Sequence, residues 1–339
     1  MKSNSTEPVS TLQQVIVASF FSCNSAQSPS NAVADMASSQ IPAQTKGKEG
    51  KESDQPNKEK ELLKGPSDDL KFLNRAIQPK PIHKGLTCTV QQVEDVKIVI
   101  KILPIFLSTI MLSCCLAQLS TFSVQQATTM DTKVGSLKVP PASLPVFPVV
   151  FIMIVAPLYD HIIIPFFRKL TKSEMGITHL QRIGIGLVLS IVAMVVAAVV
   201  ENKRKHVAYS SGLADSGSPL PITFFWIAFQ YLFLGSADLF TLAALLEFFF
   251  TEAPLGMKSL ATSLSWASLA MGYYLSSVLV STVNSVTGKG GHKAWLTGPN
   301  LNHYHLERFY WLMCVLSSIN FVQYLFWATR YKYRSTGNI

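Results

Sequence analysis

Charge is scarce in this sequence. Only 14% of its 339 residues are Asp, Glu, Lys or Arg, against about 25% in a soluble globular chain. The scarcity is also uneven: 23 of the 49 charged residues fall before Ile98, and 26 serve the 242 residues from Ile98 onward. That second segment is too poor in charge for a soluble domain and reads as membrane protein. Cysteine is sparse as well. Cys23, Cys88, Cys114, Cys115 and Cys314 form no C-x-x-C pair and no even spacing, so reduced thiols are expected and a disulfide framework is not implied. Catalytic signatures are missing: no G-x-S-x-G, P-loop, H-E-x-x-H or dinucleotide fingerprint occurs, which leaves an enzyme no residues to work with. His303 and His305 stand on a Gly- and Asn-rich loop without Cys or carboxylate partners at ligand spacing, so they are read as solvated and no metal is expected.

What charge there is has a sign. The net is +9, and the segment from Ile98 carries 17 basic against 9 acidic residues. Such an excess on short loops faces anionic lipid headgroups, and no basic stretch interleaved with aromatics suggests nucleic acid. Residues 1–69 are rich in Ser, Gln, Asn, Lys and Glu and bury too little apolar surface to offset the entropy of ordering. They are expected to be mostly disordered; the expected domains are 1–85, a disordered segment, and 86–339, a membrane domain, the boundary at 85 being where the family resemblance described below begins. Within the first part, Leu12 to Phe21 is apolar over ten residues, half of what a bilayer crossing needs. It reads as a short amphipathic patch or as a signal-peptide core behind Lys2.

From Ile98 the apolar runs reach the length that a hydrocarbon core of about 30 Å demands at about 1.5 Å per helical residue. Six are found, at about 98–122, 145–164, 183–200, 222–249, 259–283 and 309–329. The fold class predicted is therefore an all-α membrane protein with six transmembrane helices, since a β-barrel would show alternation. Between the spans, Lys133–Pro141, Glu201–Pro221 and Thr287–Asn302 read as water-exposed connections. Ser268, Gly272 and Ser276 recur every four residues in the fifth span, a spacing that lets helices approach closely or lines a substrate path. Lys71, Arg75, Lys80, Lys84 and Lys97 before the first span tip the positive-inside rule toward both termini in the cytoplasm.

Ionisable side chains within a bilayer are costly and mark functional sites by default. The fourth span holds two, Asp238 and Glu247, nine residues apart and hence on opposite helix faces. Glu247 shares its face with Ser236, Phe240 and Ala243 and reads either as the functional acid bordering a wet cavity or as an interhelical pair near the membrane surface. Asp238 reads as structural or gating. Asp160, followed by His161, Arg168 and Lys169, reads as a salt-bridged loop at the end of the second span.

Several runs together resemble a known family: AQLSTFSVQQATTMD (117–131), VPPASLPVF (139–147), YDHIIIPFFRKLT (159–171), GITHLQRIGIGL (176–187), QYLFLGSADLFT (230–241) and LLEFFFTEAPLGMKSLATSLSW (245–266). In this order they look like the plant nitrate/peptide transporter family, proton-coupled oligopeptide transporters of the major facilitator superfamily. The branch most resembled contains low-affinity nitrate and abscisic acid carriers. The resemblance implies a twelve-helix fold of two halves, of which this sequence matches the second, with residues 1–85 as most of the central loop. It implies a carrier with no cofactor, driven by a proton gradient, in a lipid bilayer, with a small anionic or peptide substrate and a complementary half as partner. The plasma membrane is expected before the vacuole.

Carried over, Glu247 matches the glutamate of the family's E-F-x-Y-x-x-A-P motif, which faces the substrate cavity. Gln118, Phe240 and Trp266, in the same matching runs, complete the candidate substrate-binding set. Asp160, Arg168, Lys169 and Asp238 form the structural and gating set. The sequence departs from the family pattern at Phe250, where Tyr is usual, at His161, where Arg is usual, and at Leu116, where some nitrate carriers place His. The E-x-x-E-R proton-coupling motif of the first half is absent. The competing expectation is a non-transporting truncated membrane protein that partners or regulates full-length carriers.

Overall fold

The computed structural model describes residues 15, 70, 72–74, 90–159, 161, 165, 169, 177–216, 218–252, 258–289 and 293–331. The disorder expected over 1–85 lies outside the described residues, apart from Val15, Leu70 and Phe72–Asn74. Two compact units divide the chain, one of residues 1–102 and 253–257 and one of residues 103–252 and 258–339. In the first, Val15, Leu73, Val93 and Val96 are fully buried in one apolar cluster. Val15 is helical, so the ten-residue apolar run supplies a packed side chain there.

The long helices among the described residues are α1 (Val90–Thr128), α2 (Val146–Leu158), α3 (His179–Ser210), α4 (Phe225–Glu252), α5 (Lys258–Thr287) and α6 (Leu306–Arg330). Among the described residues six helices, counting the turn at Pro141–Ser143 with α2, are long and apolar enough to cross a membrane. Short strands fill the turns: β1 (Met130–Asp131) pairs in parallel with β4 (Leu220–Thr223), and β2 (Lys133–Val134) pairs antiparallel with β3 (Leu137–Lys138). Large apolar side chains remain exposed along α2 (Val149, Met153, Ile154) and α6 (Val315, Ile319, Val322). Such faces suit hydrocarbon and would aggregate in water. At the ends, Lys203 lies 3.4 Å over the Trp226 ring and Arg330 4.0 Å over Phe326, aromatic and cationic anchors of the interfacial kind.

Because every polar group in hydrocarbon needs an internal partner, the second unit is stitched by hydrogen bonds between helices. From α1, Thr109 bonds Ser268 of α5 at 2.9 Å, and Gln118 donates to Ser276 of α5 at 2.7 Å. Gln230 of α4 donates to Ser123 of α1 at 2.8 Å, Asn320 of α6 to the Ser108 carbonyl at 2.8 Å, and Tyr324 of α6 to the Leu180 carbonyl of α3. The stripe Ser268, Gly272, Ser276 thus lies in the α1–α5 contact and serves helix packing.

Helix α3 corrects the sequence reading. Its expected span, 183–200, extends to Ser210, and the supposedly water-exposed Glu201 and Arg204 are fully buried. Their pairing with each other and with Gln126 and Asn302 offsets part of the desolvation penalty, so the helix continues past its apolar run. It stops in a Schellman turn: Leu213 N–H donates to the Ala208 carbonyl at 3.1 Å and Gly212 N–H to Tyr209 at 3.1 Å, with Gly212 at φ +68. At the other end a capping box starts it, Gln181 N–H donating to Thr178 Oγ1 at 3.3 Å and Thr178 N–H to Gln181 Oε1 at 3.0 Å. Thr178→Ala is expected to cost about 1 kcal/mol of stability, readable as a lower melting temperature in detergent.

Candidate functional site

The two carboxylates of α4 have different surroundings. Asp238 and Glu247 are separated by roughly 13 Å along the helix axis at about 1.5 Å per residue. Glu247 is 49% exposed, and its Oε2 accepts from the Arg182 guanidinium of α3. His179 Nδ1 lies 3.2 Å from the same oxygen without the alignment of a hydrogen bond. The spacing of His179 and Arg182, three residues apart on the first turn of α3, puts both on one helix face toward Glu247.

Arg182 is fixed from its other side by an aromatic relay. Its guanidinium carbon stands 5.1 Å over the Tyr159 ring, and Tyr159 meets Phe240 edge-on at 4.8 Å and 86°. Phe240 is buried, so its ring supports Tyr159 and through it the cation. The result is a continuous contact path from Phe240 of α4 through Tyr159 after α2 to Arg182 of α3 and back to Glu247 of α4. The Nε of Arg182 and both ring nitrogens of His179 are buried without a hydrogen bond.

Asp238 is half-buried and, among the described residues, has neither a hydrogen bond nor an ion pair. One turn on, Thr241 Oγ1 is buried without a partner. Thr241 is closed in by Gly186 of α3, which packs directly on its hydroxyl, whereas Asp238 is partly exposed.

The other expected residues do not gather at Glu247. Gln118 is fully buried in the α1–α5 contact, its amide nitrogen donating to Ser276 and its Oε1 without a partner. Trp266 of α5 is 67% exposed. Lys169 is exposed, and Asp160 and Arg168, with the salt-bridged loop expected there, lie outside the described residues. Two histidines read as solvated have carboxylate neighbours: His303 Nε2 is 2.7 Å from Asp215, and His305 Nδ1 is 3.3 Å from Glu307. Residues that the sequence reading missed are Arg182 and His179, which lie inside the GITHLQRIGIGL run. Their i, i+3 spacing at the start of a span was the signal.

Residues 5–296 match the POT family, also described as PTR2. Protein NRT1/PTR FAMILY 4.6 of Arabidopsis thaliana is 65% identical over 338 residues, which cover 98% of this chain and 58% of that protein. NRT1/PTR FAMILY 4.7 of the same plant is 70% identical over 270 residues, covering 78% of this chain and 46% of that one. Among solved structures, an auto-inhibited POT family peptide transporter is similar with TM-score 0.59 at 19% identity, over 80% of this chain and 48% of its own. The POT family transporter PepTSo is similar with TM-score 0.58 at 15% identity, over 98% and 60%. At such identities the likeness is one of fold. The chain spans about half the length of the curated relatives it matches.

Proposed function

The chain belongs to the POT family, and from that premise we propose that it is the second half of a proton-coupled secondary carrier, working with a complementary six-helix half. In such a carrier the substrate lies near the bilayer midplane between the halves, and rocking of one against the other alternates access. The observation that carries this reading is the Glu247–Arg182 pair in a multi-pass membrane domain. Proton uptake by Glu247 cancels its charge and releases the Arg182 cation for an anionic group of the substrate. One proton and one anion then enter together, which is the stoichiometric basis of symport. Asp238 offers a second contact to the cationic or hydrogen-bonding part of a substrate. Nitrate, a short peptide or an organic acid such as abscisic acid fits this chemistry, and the plasma membrane is the proposed location.

The test is uptake into proteoliposomes driven by an inward proton gradient, with this chain assembled with the amino-terminal half of its 65% identical relative. Saturable uptake is expected from the pair and not from the chain alone. Uptake by neither would favour a regulator of full-length carriers. Glu247→Gln is expected to lower uptake by about tenfold, the scale of one lost charge-assisted contact. Arg182→Gln is expected to match it, and the double variant to be no worse than either single one, because both act through one pair. Additive losses would separate Glu247 from Arg182 and overturn the exchange.

A further inference from the structure

A buried run of polar side chains joins α3, α1 and α4, and its hydrogen-bond directions are set from one end. Arg204 grips both oxygens of Glu201, at 2.8 and 2.7 Å, and the ionised carboxylate can only accept. It therefore takes the amide nitrogen of Gln126 of α1, at 2.7 Å. Gln126 Oε1 is left as an acceptor, and the amide nitrogen of Gln230 of α4 meets it at 3.3 Å. The same nitrogen donates to Ser123 Oγ of α1 at 2.8 Å. Each amide is thus fixed in one of its two orientations, because turning either would set oxygen against oxygen.

Three groups at the far end of this run are left unused. Gln230 Oε1 is fully buried and has no hydrogen-bond partner among the described residues. The Tyr310 hydroxyl of α6 is likewise buried and without a partner, although Ser123, Glu201 and Tyr231 are its neighbours. Ser123 is fully buried as well; its oxygen accepts from Gln230, and its own O–H makes no hydrogen bond among the described residues. Tyr231, the other phenol nearby, is engaged, donating to the Leu119 carbonyl at 3.3 Å. Two O–H donors and one carbonyl acceptor therefore meet in an interior where an unmade hydrogen bond costs most.

We propose that this junction of α1, α4 and α6 binds a water molecule, which accepts from Tyr310 and Ser123 and donates to Gln230 Oε1. A water carries two lone pairs and two hydrogens, and a buried one typically makes about three hydrogen bonds, as many as the junction offers. An apolar occupant would leave all of these groups unmet. An ion has no counter-charge here, since Arg204 and Glu201 neutralise each other. The water carries onto α6 a network that otherwise ends at Gln230. The site is separate from the Glu247–Arg182 pair and holds whether or not the chain transports anything.

Radiolytic hydroxyl labelling of the full chain in lipid nanodiscs tests it, because radicals formed on a bound water mark the side chains around it where bulk water does not reach. Tyr310 is expected to be labelled about tenfold more than Tyr324, a buried tyrosine of the same helix whose hydroxyl donates to the Leu180 carbonyl. Tyr310→Phe supplies the second reading. With the water in place, the variant deprives it of a donor, and the denaturant midpoint in mixed micelles is expected to fall. Without it, the variant deletes an unsatisfied buried hydroxyl, and the midpoint stays or rises. Labelling of Tyr310 no greater than that of Tyr324, or a midpoint of Tyr310→Phe equal to or above that of the parent, overturns the proposal.

Discussion

Arg204→Met is expected to destabilise the second unit by about 3–5 kcal/mol, the usual consequence of leaving one charge of a buried pair alone. The geometry explains the size. Arg204 and Glu201 are fully buried, and the guanidinium grips both carboxylate oxygens, at 2.8 and 2.7 Å. Its remaining nitrogen donates to Asn302 at 2.6 Å and to Thr129 at 3.1 Å. Gln126 of α1 donates to the same carboxylate at 2.7 Å, and its Oε1 accepts from Gln230 of α4 at 3.3 Å. One side chain thus holds α3, the end of α1 and the α5–α6 connection, and reaches α4 through Gln126. With Met in its place, Glu201 keeps only Gln126 and faces the full cost of desolvation.

The companion double variant makes the cause testable. Glu201→Leu/Arg204→Met removes both charges and is expected to recover most of the loss, because the desolvation of a buried pair offsets much of its attraction. Denaturant unfolding in mixed micelles reads both variants against the parent. A single substitution costing less than about 1 kcal/mol, the scale of an exposed pair, would mean that water reaches the site and that the burial described is wrong.

Much of the architecture was legible because the bilayer imposes one length on every crossing. Six apolar runs predicted six helices, and the runs of α4 and α6 lie within a few residues of the helices found. The misreading of α3 has a specific cause. Hydropathy counts Glu201 and Arg204 as polar and ends the span before them, whereas burial depends on whether two charges i and i+3 apart meet partners from Gln126 and Asn302, about 75 and 98 residues away in sequence. Long-range pairing of this kind leaves no local pattern. The same limit applies to Glu247. Its type and its place within a span marked it as a candidate, but the Arg182 that engages it lies at the start of another span, 65 residues away in sequence. Gln118 looked like a cavity residue from its run and turned out to serve the α1–α5 contact, which only the facing Ser276 reveals. Phe240 was expected on the face of Glu247 as a ligand contact, and the structure uses it to carry Tyr159.

The α1–α5 contact makes the second large expectation, at Gly272. A Cβ built there would lie 2.3 Å from Ser113 Cβ, 2.7 Å from the Ser113 carbonyl carbon and 2.8 Å from Cys114 N. Two of these three atoms are backbone, so a rotamer change cannot relieve the clash, and the helices must separate. Separation would stretch Thr109–Ser268 and Gln118–Ser276, the two hydrogen bonds that flank Gly272 along the same stripe. Bonds between membrane helices contribute about 0.6 kcal/mol each, and overpacking costs about 1–3 kcal/mol. Gly272→Ala is therefore expected to lose about 2–4 kcal/mol, and Gly272→Leu to prevent assembly of the folded unit. Gly184→Ala is the control: its Cβ would meet only Tyr324 at 3.4 Å, an ordinary contact, and little change is expected. Unfolding of both alanine variants in the same micelles measures the difference. Equal stability of the two would mean that α1 and α5 are not in backbone contact at Gly272, and that the stripe Ser268, Gly272, Ser276 faces something other than a helix.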